Sequence, residues 1–185
     1  MNKILILGGT GYTGKRIARY LLEQSDACIA LAARNLDKVQ VFTEELNQQF
    51  PGNRVLARYA DASNTDSLRL AFADQNMVVV AAPTTAYAKN VIRSSIDMGL
   101  DYLDVQLGAH KFVILQSLAV EIERAGLCYI TEAGYHPGLP SALVRYAATQ
   151  LDLLQSAITA GFLNMGKGLP YSEAMDELVE SFKSY

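Results

Sequence analysis

No tryptophan occurs in this sequence, and cysteine and histidine occur twice each. Cys28 and Cys128 both fall in apolar runs that read as buried strands. Neither has a second cysteine or a histidine at ligand spacing, so both are expected to be reduced core residues. The histidines and acidic residues likewise lack ligand spacing, and no metal site is assigned. Blocks of Lys and Arg are also missing, and the formal net charge is −3. That excludes the electrostatic footprint of a nucleic-acid or anionic-membrane surface. No apolar run approaches the ~18 residues needed to span a bilayer. The opening MNKILILGG has an apolar run from Ile4 to Leu7 with no small-residue cleavage site behind it, so it reads as a strand and not a secretory leader. A cytoplasmic location is expected.

The chain has 185 residues, of which 50% are hydrophobic and 19% charged, enough apolar material for a sizeable core. Short apolar runs alternate with longer amphipathic ones, the pattern of a parallel sheet covered by helices. Strands are predicted at Lys3–Leu7, Cys28–Ala33, Arg54–Tyr59, Met77–Ala81, Asp101–Val105 and Leu127–Thr131. The fourth is continuously apolar and should be buried on both faces. Helices are predicted from Thr13, with Ile17, Leu21 and Leu22 on one face, and after Asn35, with Val39, Phe42, Leu46 and Phe50 at helical spacing. A short one opens at Asn64 or Thr65 and carries Leu68, Leu70 and Phe72; two more run from Tyr87 to Met98, closed by Gly99, and from Ala109 to Ala125.

Six strands before Glu132 make a complete doubly wound sheet within the first two-thirds of the chain. The texture then changes. Gly134-Tyr135-His136-Pro137-Gly138-Leu139-Pro140 is a rigid Gly/Pro segment, followed by a predicted helix at Ser141–Leu151, a strand at Ala157–Leu163 and a last helix capped by Ser172. One strand and two helices make a poor domain. The expected division is therefore residues 1–135, dinucleotide-binding, and 136–185, the short C-terminal start of a truncated or abbreviated second α/β domain for substrate or dimerisation.

Directly after the first strand stands Gly8-Gly9-Thr10-Gly11-Tyr12-Thr13-Gly14. Gly9, Gly11 and Gly14 satisfy G-x-G-x-x-G, while Gly8, Gly11 and Gly14 satisfy G-x-x-G-x-x-G. In either pattern one glycine turns the chain, one admits the pyrophosphate close to backbone, and the last lets helix and strand pack. The helix N-terminus then offers free N–H groups and positive partial charge to the phosphates. The spacing Gly9-x4-Gly14-Lys15 also resembles an NTPase phosphate loop, but that motif needs Ser or Thr next for Mg²⁺, and Arg16 stands there.

The residue ending the second strand selects the dinucleotide. NAD enzymes commonly place Asp or Glu there to bind the ribose 2′-OH. Here the strand ends Ala32-Ala33-Arg34-Asn35, with Arg34 about 20 residues past the last motif glycine. A carboxylate would repel a 2′-phosphate, whereas a guanidinium binds it with charge-assisted hydrogen bonds. NADP is therefore expected over NAD. Asp61-Ala62, past the third strand, sits where a side chain reaches the adenine, and is equally suited to an ordinary helix start. Ala81-Ala82-Pro83-Thr84, ending the fourth strand, is small enough for the nicotinamide ribose to pass close to backbone.

Taken together, these segments resemble the NADP-binding Rossmann domain of the saccharopine dehydrogenase family. The resemblance runs from Met1 to about Tyr146 and includes Val79-Val80-Ala81-Ala82-Pro83 and Asp101-Tyr102-Leu103-Asp104-Val105. Its most specific mark is Ala133-Gly134-Tyr135-His136-Pro137-Gly138-Leu139, similar to the family's Gly-x-x-Pro-Gly-Leu segment. It implies a nicotinamide-dependent oxidoreductase acting on C–N bonds of small, amino-acid-like molecules. It also implies a large second domain that supplies most of the substrate pocket and homodimer contacts. The sequence departs from the family there, carrying almost none of that domain, which sets cofactor binding apart from complete turnover.

Short-chain dehydrogenases are the nearest rival. Their Tyr-x-x-x-Lys is absent: Tyr12 is followed four residues later by Arg16, Tyr20 by Gln24, Tyr102 by Gln106 and Tyr146 by Gln150. For proton transfer the candidates are His136, in the rigid loop, and Asp104, which ends a strand on the ligand side and could meet a substrate amine or ribose, or cap the next helix. His110 reads as a surface residue. Two functions stay open: an NADP-dependent oxidoreductase, and an NADP-binding sensor or half-enzyme module without chemistry of its own.

Overall fold

The computed structural model describes residues 2–135 and 138–161. In chain order the elements are β1 (Lys3–Leu7), α1 (Tyr12–Gln24), β2 (Cys28–Ala33), α2 (Leu36–Gln49), β3 (Val55–Tyr59), α3 (Thr65–Phe72), β4 (Met77–Val80), a 3₁₀ turn (Thr85–Tyr87), α4 (Ala88–Asp97), β5 (Asp101–Asp104), α5 (Ala109–Arg124), β6 (Tyr129–Ile130) and α6 (Gly138–Ala148). All strand pairs are parallel, in the order β3-β2-β1-β4-β5-β6. This is the doubly wound order, with its topological switch between β1 and β4.

Alternating side chains feed two cores, one on each face of the sheet. Leu5, Leu7, Ala30, Ala32, Val78 and Val80 pack under α3, α4 and α5. Ile6, Ile29, Leu31 and Val79 face the opposite way, onto Ala18 and Leu22 of α1 and Val39, Phe42 and Leu46 of α2. Leu7 pairs with Ala32 on one side and Val80 on the other, and Val80 pairs with Asp104. Four parallel strands therefore end level, and their following loops share one edge.

Helix starts follow the expected chemistry. The Asn35 side chain accepts from Lys38 N at 3.0 Å, and Asn64 accepts from Asp66 N and Ser67 N, both at 3.0 Å. Gly99 closes α4 with φ +68°, as expected. Arg54 ties the α1 C-terminus to the sheet by donating to the carbonyls of Leu22 (2.9 Å) and Ser25 (2.6 Å).

Of the three large apolar residues on α3, Leu68 and Phe72 are buried while Leu70 is 76% exposed, because Leu68, Ala71 and Phe72 already occupy the inward stripe. Several expectations are corrected. Cys128 is exposed rather than buried. It precedes an edge strand of two residues, and inward-facing Tyr129 stacks on Tyr102 at 5.1 Å, which turns its neighbour outward. Residues 157–161 carry no strand, and α6 begins at Gly138 rather than Ser141. The predicted element at Ser172 lies outside the described residues.

Tyr129 gives the fold a signature at high pH. The Ser95 hydroxyl donates to Ile92 O (2.8 Å) and so accepts from Tyr129 Oη (2.7 Å). Burial pushes the Tyr129 phenol up to about 12. Because the folded value lies above the unfolded one, this stabilisation is complete below about pH 10 and is lost as pH rises towards 12. Tyr129→Phe should cost about 1 kcal/mol at neutral pH. Its melting temperature should then fall less steeply than the unmodified protein's above pH 10; parallel melting curves across that range would contradict the assignment.

Candidate functional site

The loop between β1 and α1 folds onto the sheet without side chains in the way. Gly8 N and Gly9 N both donate to Ala32 O, at 2.8 and 3.3 Å, and Gly11 N donates to Gly8 O at 2.9 Å. Gly8 has φ +87°, and a Cβ there would lie 2.7 Å from Ala82 Cβ and 2.8 Å from the Ala81 carbonyl. At Gly9 a Cβ would meet Leu31 Cδ2 at 2.9 Å, and at Gly14 it would run into Gly8 O. All four glycines are thus used, and the two spacing patterns describe one corner.

The corner leads into a helix start made for an anion. Gly11 is the N-cap of α1, no side chain caps the exposed N–H groups, and the first turn holds no acid. Thr10 and the exposed Tyr12 and Thr13 complete the turn. Positive charge clusters beside it: the Arg16 guanidinium lies 3.9 Å from the Tyr12 ring centroid and the Lys15 ammonium 4.8 Å from that of Phe42. These residues fit a dinucleotide, since the glycines let the loop pack tightly on the sheet and leave the uncapped N–H groups of α1 facing the position a pyrophosphate takes.

Arg34 and Asn35, both exposed, stand at the ends of β2 and the start of α2 on this same edge. Asp61 lies at the neighbouring end of β3, and Ala62 beside it is buried. The Asp61 carboxylate accepts from Ser63 N (2.9 Å) and Ser63 Oγ (2.7 Å). These bonds, with a further contribution from the charge of Arg34, hold its carboxyl below the usual range. Asn64, not Asp61, caps α3.

Ala81, Ala82, Pro83 and Thr84 leave β4 against the glycine corner. Gln106 Nε2 donates to Ala82 O and lies 3.4 Å from Thr84 Oγ1. Asp104, a candidate either to meet a ligand or to cap the next helix, is fully buried and does not cap α5, whose N-cap is Gly108. Its Oδ1 accepts from Lys111 Nζ (2.5 Å), Gln106 N (3.0 Å) and Glu132 N (3.2 Å), and its Oδ2 from Thr131 Oγ1 (2.8 Å). The physical reason is Lys111, which folds back from α5 and neutralises the carboxylate beneath the surface. Lys111 and Gln106 are the residues the sequence reading missed. A Lys in the first turn, directly before the apolar run Phe112-Val113-Ile114-Leu115, was the available signal. His110 is exposed, as expected, and His136 lies outside the described residues. Among the described residues no group of three His, Cys, Asp or Glu side chains could hold a metal ion, and no helix is long and apolar enough to cross a membrane.

A glycine corner at the switch point of a six-stranded parallel sheet, flanked by a basic strand end, defines a nicotinamide-dinucleotide-binding domain. The family model for the saccharopine dehydrogenase NADP binding domain matches residues 4–162, and the chain belongs to that family. The Saccharomyces cerevisiae saccharopine dehydrogenase named as NADP(+)-dependent and L-glutamate-forming is 26% identical over 178 residues, covering 95% of this chain and 37% of that one. A Mycobacterium tuberculosis protein provisionally named as a trans-acting enoyl reductase is 34% identical over 104 residues, 55% of this chain and 24% of its own. The chain thus spans well under half the length of these relatives. In fold it agrees with the apo yeast L-Glu-forming saccharopine dehydrogenase (TM-score 0.67, 21% identity, 81% of this chain, 31% of that). It also agrees with a Citrobacter triphenylmethane reductase complexed with NADP(H) (TM-score 0.52, 19% identity, 69% and 48%).

The corner makes a direct prediction. Gly8→Ala should lower stability by about 2–4 kcal/mol, because the new methyl group meets backbone at a positive φ. Gly99→Ala, with φ +68° and nothing within 4 Å, should cost about 1–2 kcal/mol. Chemical denaturation of both variants checks this, and equal losses would show that the corner has slack.

Proposed function

We propose that this chain supplies the cofactor-binding half of an NADP-dependent oxidoreductase acting on a small, amino-acid-like molecule. When bound, NADP(H) supplies a hydride donor or acceptor. The chain's own groups do the holding: Gly8 to Gly14 and the α1 N-terminus carry the pyrophosphate, and Arg34 with Asn35 receives the 2′-phosphate. Asp61 and Ala62 border the adenine, and Ala81 to Thr84 form the floor under the nicotinamide ribose. His136 is the proton-transfer candidate. Residues from 136 onward lead into the substrate and dimer part, which in this reading completes the pocket.

The observation that carries this reading is the juxtaposition, on one sheet edge, of the glycine corner with an exposed Arg34 and no acid at the end of β2. A second reading, an NADP-binding module without chemistry of its own, is favoured by the burial of Asp104, whose oxygens are all taken. Turnover assays of the longest natural form of the protein, with amino-acid conjugates and NADP, separate the two.

Arg34→Asp tests the cofactor assignment. Loss of charge-assisted hydrogen bonds to the 2′-phosphate costs about 1.5–3 kcal/mol, or roughly ten- to a hundredfold in NADPH affinity. NADH binding should change little. If both cofactors weaken equally, Arg34 does not read the 2′-phosphate.

A further inference from the structure

We propose that Gln106, anchored by the buried Asp104–Lys111 pair, is a positioning residue for the nicotinamide half of the cofactor. The inference rests on the NADP-binding reading and extends it to residues outside the glycine corner. A fully buried ion pair is a poor way to gain stability, since the desolvation of both charges offsets much of their attraction. Other polar ties between helix and sheet, such as Arg54 to Leu22 O and Asn47 to Val55 N, are half-buried or exposed, whereas both members of this pair are fully buried. What the pair does accomplish is specific. Lys111 Nζ donates to Asp104 Oδ1 (2.5 Å) and to Gln106 O (2.6 Å), while Gln106 N donates to Asp104 Oδ1 (3.0 Å). The Gln106 backbone is therefore pinned through both its N–H and its carbonyl.

The side chain held in this way reaches across from the end of β5 to the end of β4. It donates to Ala82 O and approaches Thr84 Oγ1. On its other side the same turn is pressed by Gly8, where a Cβ would lie 2.7 Å from Ala82 Cβ. The Ala82–Thr84 turn is thus clamped between the corner that carries the pyrophosphate and the amide of Gln106. Because the Ala82 carbonyl is turned to Gln106, the clamp sets where the backbone lies rather than offering a ligand contact itself. In a doubly wound sheet the ligand crosses this switch point, and hydride transfer depends on the distance kept there.

Gln106→Leu in the full chain tests the proposal with two probes. Adenosine 2′,5′-bisphosphate carries the adenine and 2′-phosphate end and no nicotinamide. NADPH carries both, and its reduced ring reports its surroundings by fluorescence. The variant keeps the backbone anchors and removes only the amide. The expected result is bisphosphate affinity within about twofold of the unmodified chain and NADPH affinity reduced about five- to tenfold. The emission of bound NADPH should also move towards that of the free cofactor. The double variant Asp104→Leu/Lys111→Met, which replaces the pair with apolar groups, should show the same split. Equal loss of both probes, or no loss of either, overturns the positioning role. If the unmodified chain fails to bind the bisphosphate, the NADP-binding reading itself falls, an outcome distinct from a missing split.

Discussion

Backbone meets backbone where the first loop of this protein crosses the end of the fourth strand, and the rest of the site follows from that contact. Gly8 lies so close to Ala81 and Ala82 that no side chain fits between them. The contact is made possible by the level ends of β1, β2 and β4, set by the pairing of Leu7 with Ala32 and Val80. Those strands are in turn fixed by alternating apolar residues that fill a core on each face. A stretch of free N–H groups at the start of α1 is thereby aimed across the switch point, where a pyrophosphate needs no side chain to be held.

Charge is distributed along the same edge with a clear division of labour. Towards β2 it is exposed: Arg34 stands in solvent, and its field reaches Asp61. Towards β5 it is internal: Lys111 and Asp104 are fully buried and spend their hydrogen bonds on fixing Gln106 and the neighbouring strand ends. Exposed charge selects a ligand by its own charge, whereas buried charge is suited to holding backbone in one place. In the proposed cofactor site, the two ends of one dinucleotide draw on these two different services.

Much of this was legible in the sequence, and the reasons are local. The glycine spacing after a short apolar run, the Asn caps of α2 and α3, and the missing acid after β2 each express their physics within a few residues. The topology and family followed from them. Cys128 misled because an apolar run at an edge strand buries one side only. Asp104 looked like a ligand group because its partner, Lys111, stands on the next element, and the pairing depends on how α5 packs against β5. Interactions of that kind need the fold before they can be read.

An edge with this glycine corner and an exposed Arg34 in place of an acid should bind NADP in preference to NAD. The most direct measurement is a pair of fluorescence titrations of the unmodified chain, one with NADPH and one with NADH. Saturable NADPH binding, tighter than NADH by roughly tenfold or more, is the predicted result. Equal or tighter binding of NADH, or binding of neither, would contradict it.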